Sequence, residues 1–136
     1  MELAHRKEVL LRAVLNGRHL RVKKIAPNTY RLLADAAASS PDARFLVHRL
    51  GANTLKLQSV RYPEYWVQRT GDVADPYGSA GAACALDLKF FGATLSLGPT
   101  GQFDLALFVT AACTVCVGAV EEGHRSTLFV PVGRPL

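Results

Sequence analysis

Cys113 and Cys116 form a C-x-x-C within "AACTVCVGAV", the spacing used by redox dithiols and zinc sites. The flanking residues are β-branched, so the segment is expected as a strand, on which positions i and i+3 point to opposite faces. One thiol would then be buried and the other not. No second C-x-x-C or nearby paired histidine supplies the four converging ligands that zinc needs, and the chain's three cysteines read as reduced thiols. The four histidines, at 5, 19, 48 and 124, are scattered without H-E-x-x-H spacing, and no G-x-S-x-G or nucleophile beside a base is present. His48, in an apolar run, reads as a satisfied, partly buried residue. "GDVADPYGSAGAAC" holds Asp72, Asp75 and three glycines but lacks the lysine of a phosphate loop and the oxygen donors of a calcium loop. It reads as a long small-residue loop. No catalytic residue, cofactor or metal site is expected, and the protein is read as a non-enzyme.

Binding chemistry is better represented. Residues 1–31 carry eight basic groups against Glu2 and Glu8, whereas the rest of the chain carries eight basic against nine acidic. The net charge of +5 therefore belongs to one end. In "NGRHLRVKK", Leu20 and Val22 alternate with His19, Arg21 and Lys23, so a strand would project three basic side chains from one face. Arg18, His19, Arg21, Lys23 and Lys24 are the candidate contacts for a polyanion such as a sulfated glycan, an acidic protein or RNA. The alternative is a solvated face that keeps an edge from pairing. A second candidate surface gathers around the Pro63 turn, where Arg61, Tyr62, Trp66, Gln68, Arg69 and Tyr77 supply aromatic and cationic groups. Period-two alternation assigns Tyr65 and Val67 to the core and turns Trp66 and Gln68 outward. An exposed Trp66 would stack on a sugar or anchor a protein partner; equally, it would cap the bottom of a barrel.

These residues must be positioned by short strands. At 136 residues and 49% hydrophobic, the chain can bury one sizeable core, so one domain over 1–136 is expected. No apolar run approaches the roughly 18 residues of a membrane span, and no signal peptide is visible; cytoplasmic residence, or export by a leaderless route, is expected. β-prone runs such as "VLLRAVL", "RHLRV", "RFLVHRL", "TLKLQSV", "LDLKFF" and "STLFVPV" are separated by Gly, Pro, Asn and Asp turn signals. Only "LLADAAASS" has helical propensity. The class is all-β, a sandwich or a barrel.

Internal repetition sharpens this. Gly51, Gly92 and Gly133 are 41 residues apart, each preceded by an apolar residue (Leu50, Phe91, Val132) and by another four positions before (Val47, Leu88, Phe129). Leu55 and Leu57 match Leu95 and Leu97, and Tyr65 and Val67 match Leu105 and Leu107, all at an offset of 40. Leu11 and Val14 answer Leu57 and Val60. Three units result, roughly 9–53, 54–93 and 94–136. This pattern resembles a β-trefoil, a six-stranded barrel closed at one end by three hairpins, in which three weak units share one core; an eight-stranded sandwich is the alternative. "LQSVRYPEYWVQ" followed by "LDLKFFG" is similar to the repeats of interleukin-1-like cytokines, fibroblast growth factors and arabinose-binding AbfB-type modules, and "VLLRAVLNGRHLRV" resembles fascin-like trefoils. The Q-x-W of ricin-type lectins is absent, since Gln68 follows Trp66 and no other Trp exists. The resemblance implies a binding module, either a cytokine-like ligand or intracellular adaptor for a protein partner, or a binder of heparin-like polyanions or glycans.

Overall fold

A computed structural model describes residues 5–78 and 84–133; residues 79–83 and both termini lie outside the described residues, and the stretch expected as a long small-residue loop is a strand over Val73–Gly78. The strands are β1 (Glu8–Ala13), β2 (His19–Ala26), β3 (Thr29–Ala36), β4 (Phe45–Arg49), β5 (Thr54–Ser59), β6 (Trp66–Thr70), β7 (Val73–Gly78), β8 (Leu86–Phe91), β9 (Thr94–Pro99), β10 (Ala106–Val109), β11 (Val115–Gly118) and β12 (Phe129–Gly133). No α-helix occurs among the described residues. The helix-prone "LLADA" instead continues β3, where Leu32, Ala34 and Ala36 alternate inward against β2. Tertiary pairing overrides a local propensity worth only tenths of a kcal/mol per residue.

Six strands close a barrel. β1 pairs with β4, β4 with β5, β5 with β8, β8 with β9, β9 with β12 and β12 with β1, every pair antiparallel. Closure removes the unpaired edges that an open sheet would expose. The other six strands form three hairpins, β2–β3, β6–β7 and β10–β11. These meet one another in pairs, through Leu33 opposite Thr114, Cys116 opposite Val73, and the Tyr30 N–H on the Tyr77 hydroxyl. The arrangement is the one that the β-trefoil resemblance implies.

The core is a set of threefold layers made by period-two alternation. Val9, Leu55 and Leu95 form one layer, Leu11, Leu57 and Leu97 a second, and Phe45, Leu86 and Phe129 a third, none more than 1% exposed. Leu20, Val67 and Leu107 plug the barrel from the hairpins. A buried small residue stands two before each third-layer residue, namely Ala43, Cys84 and Thr127. Ala43 and Thr127 end single 3-10 turns, in which the Asp42 and Ser126 amides donate to the side chains of Ser40 and His124.

The ladder corrects one part of the repeat. Phe45 lies opposite Ser59, Leu86 opposite Pro99 and Phe129 opposite Ala13, so these three are equivalent. Gly51 and Gly92 follow their strands in hairpin turns, with Gly92 at φ 65°, whereas Gly133 is still inside β12, opposite Val9. The third glycine is therefore two residues out of register. Leu50 and Val132 are exposed and Phe91 is half-buried, outside the core. Val14, matched in sequence with Val60, is likewise exposed.

Candidate recognition surface

All four tyrosines of the chain meet on one surface, although they come from three segments. Tyr30 enters after the Pro27-Asn28 turn, in which Asn28 takes φ 60°, a conformation Asn tolerates. Tyr62 and Tyr65 flank Pro63 in a loop pinned at both ends. Tyr62 N donates to Ser59 Oγ at 3.0 Å, Ser59 N to the Tyr65 carbonyl at 3.0 Å, and Gln58 Nε2 to the Pro63 carbonyl at 2.6 Å. Tyr77 comes from β7, with its amide donating to Asp75 Oδ1 at 2.8 Å. Ring centroids lie 5.1 Å apart for Tyr30 and Tyr62 and 6.0 Å for Tyr65 and Tyr77, within the range of favourable aromatic packing, and Tyr30 and Tyr65 stand closer still at 4.0 Å. Arg61 stands 5.5 Å over the Tyr62 ring, a cation–π contact. Partial removal from water, with the neighbouring Tyr30 hydroxyl adding to it, raises the Tyr65 phenol above its ordinary pKa. Tyr77 is exposed and the other three are half-buried. The result is an ordered aromatic patch, held by backbone hydrogen bonds.

Of the residues expected around the Pro63 turn, Arg61, Tyr62 and Tyr77 belong to this patch. Trp66 is half-buried rather than turned outward. Its ring packs 4.6 Å from that of His48, whose Nε2 is 2.8 Å from Gln58 Oε1, and its backbone lies against Gly78, where no side chain would fit. Gln68 Nε2 donates to Asp75 Oδ1 at 3.0 Å and Arg69 Nη1 to Gln102 Oε1 at 2.7 Å, so both are engaged locally. Tyr65, expected in the core with Val67, precedes β6 in the loop and joins the surface, while Val67 is fully buried. Tyr30 is the member that sequence reasoning missed. Its only signal was the turn that starts β3.

The basic strand face is not a solvated stripe. His19 is buried, with Nδ1 3.3 Å from the Ala36 carbonyl. Arg21 is clamped by Asp35, with Nε to Oδ1 at 2.6 Å and Nη2 to Oδ2 at 3.0 Å, and Asp42 Oδ2 lies 3.5 Å from its Nη1. The Asp35 hydrogen bonds raise the Arg21 pKa, and the same bonds from Arg21, against the opposing effect of burial, lower that of Asp35. Arg18 donates to the Asp35 carbonyl at 3.4 Å. Lys23 is half-buried and Lys24 exposed. Asp42 also stands 3.2 Å from Arg61 Nε, an ion pair without hydrogen-bond alignment, and so links the clamp to the aromatic patch.

The C-x-x-C departs from the strand expectation. Cys113 sits in the turn before β11 at φ 65°, with Asn16 Nδ2 3.7 Å from its Sγ, and Cys116 is on β11. Both are half-buried, and all three cysteines are free thiols.

No family model and no curated protein matches this chain. Among solved structures it is similar to a designed threefold symmetric protein, ThreeFoil, with a TM-score of 0.72 at 18% identity over 92% of this chain and 97% of that one. At that identity the likeness speaks to fold alone. The chain is a β-trefoil, with the closed barrel and three hairpins described above. No helix among its described residues is long and apolar enough to cross a membrane.

Proposed function

We propose that this β-trefoil is a non-enzymatic recognition module that binds a protein partner, as a cytokine-like ligand or an intracellular adaptor, through the tyrosine patch. The observation that carries this reading is the convergence of Tyr30, Tyr62, Tyr65 and Tyr77, with Arg61, on one rigid, partly exposed surface. Tyrosine offers large contact area with only two rotors and arginine a planar fork of five donors, both enriched among the residues that dominate interface energetics, and the pinned loop leaves little ordering to be done on binding. The neutralisation of Arg21 by Asp35 and Asp42 weighs against the polyanion reading, since it removes the centre of the basic strand. Capture of a partner on immobilised protein tests the proposal. Binding that survives added salt and is lost on Tyr62→Ala with Tyr77→Ala supports it. Binding that fails with salt and on charge reversal at Arg18 and Lys24 overturns it in favour of a polyanion.

A further inference from the structure

The hydrogen-bonding groups that the tyrosine patch has left to offer are chiefly donors. The carbonyls of its loop are already engaged, that of Tyr62 by Tyr65 N at 2.9 Å, that of Pro63 by Gln58 Nε2 at 2.6 Å and that of Tyr65 by Ser59 N at 3.0 Å. Asp75 Oδ1 is shared by the Tyr77 amide and Gln68 Nε2. The Tyr77 oxygen accepts the Tyr30 N–H at 2.7 Å, which uses a lone pair and leaves its O–H to donate. Arg61, with Nε 3.2 Å from Asp42 Oδ1, stays 47% exposed and keeps further N–H groups of its five-donor fork. Lys24 lies directly opposite Tyr30 across the β2–β3 ladder and so shares its face; it and Glu64, both exposed, offset each other in charge.

The rings supply the apolar part of the surface. Tyr30 and Tyr62 pack against the barrel core, which fixes them. Their planes meet at 64°, and those of Tyr65 and Tyr77 at 67°. Each steep pair sets a ring face beside a ring edge, a step against which a saturated ring can pack. The Tyr30–Tyr65 contact at 4.0 Å brings the two steps side by side. Aromatic steps with spare donors match a chain that is rich in free carbonyls and poor in N–H groups. Proline meets both demands, since it lacks the N–H and carries an apolar ring. In the polyproline II conformation a chain makes no internal hydrogen bonds, so its carbonyls are free, and its three-residue turn returns rings to the same side.

We propose, resting on the reading of this patch as the binding surface, that its partner presents a proline-rich segment in the polyproline II conformation. Proline rings pack on the Tyr30–Tyr62 and Tyr65–Tyr77 steps, and the Tyr77 O–H and the Arg61 guanidinium donate to carbonyls of the segment. Both sides are ordered before they meet, so little conformational entropy is lost on binding. Because the match is made by ring packing and hydrogen bonds to neutral carbonyls, it tolerates salt.

The test is a chemical-shift titration of the full chain, at low and high salt, with a blocked peptide of Pro-Pro-Ala repeats, the same peptide with serine in place of proline, and an amphipathic helical peptide. Saturable shifts at the Tyr62, Tyr65 and Tyr77 amides are expected with the proline peptide at both salt concentrations, and the serine peptide should bind at least about tenfold more weakly. Tyr62→Ala with Tyr77→Ala should abolish binding, and Tyr77→Phe, which keeps the ring, should weaken it by about threefold to tenfold, with circular dichroism unchanged. Equal binding of the serine peptide, saturation of the same amides by the helical peptide instead, or full binding by the double variant overturns the proposal. If the proline peptide fails to saturate while capture of a partner still depends on Tyr62 and Tyr77, the polyproline assignment falls and the patch remains the binding surface; if capture does not depend on those residues either, both fall.

Discussion

The backbone N–H of Tyr30 donates to the Tyr77 hydroxyl at 2.7 Å, joining the first hairpin to the second across 47 residues of chain. This bond orients the exposed Tyr77 ring against Tyr65 and completes the patch. Tyr77→Phe keeps the ring and removes the acceptor. It should lower stability by about 1 kcal/mol, the net worth of one hydrogen bond at a wet site, measured as a drop in Tm. A variant as stable as the wild type would mean that the bond is not what joins the hairpins.

The threefold core predicts a graded mutational pattern. Phe45→Ala and Phe129→Ala should each cost about 3–5 kcal/mol and Leu86→Ala about 2–5, since these residues are equivalent and fully buried. Leu50→Ala and Val132→Ala, beside the glycines that mark the repeat, should stay within about 0.5 kcal/mol. Urea denaturation of the five variants checks the register.

Asp35 gives the protein a defined acid sensitivity. Its folded pKa lies below the unfolded value of about 3.9, so the stability it contributes is present above that pH and is lost as pH falls through the folded value. Because the carboxylate is 28% exposed, its share is about 1 kcal/mol. Asp35→Asn should be less stable than wild type by that amount at neutral pH, with the gap closing in acid. Chemical denaturation from neutral pH to below about 3 measures it.

With Arg21 held by two carboxylates, the basic strand should bind polyanions weakly. Retention on a heparin column should be slight, and Arg21→Ala should change it little, whereas a dedicated site would elute at high salt and lose about one ionic contact with that residue.

Much of the fold was legible because burial writes itself into the sequence at period two. Leu55 and Leu57 against Leu95 and Leu97 are inward pairs in both places, and the turn residues between them separate the strands. Gly133 misled because a glycine in a strand and one in a turn look alike in a one-dimensional pattern, while the ladder distinguishes them. The candidate surface was legible only where its residues are close in sequence. Tyr62 and Tyr77 flagged it, but Tyr30 arrives from another repeat. Alternation left Trp66 between an exposed anchor and a barrel cap because it says nothing of His48, which packs on it from the neighbouring part of the barrel. Arg21 looked free for the same reason, its partners Asp35 and Asp42 lying 14 and 21 residues away.

Partner capture with the Tyr62→Ala, Tyr77→Ala variant tests the central claim most directly, run beside wild type and an Arg18→Glu, Lys24→Glu control at low and high salt. The tyrosine patch predicts a partner that wild type and the charge control retain at both salt concentrations and that the tyrosine variant, folded by circular dichroism, fails to hold. A partner retained by the tyrosine variant but released by salt or by the charge reversals would contradict it.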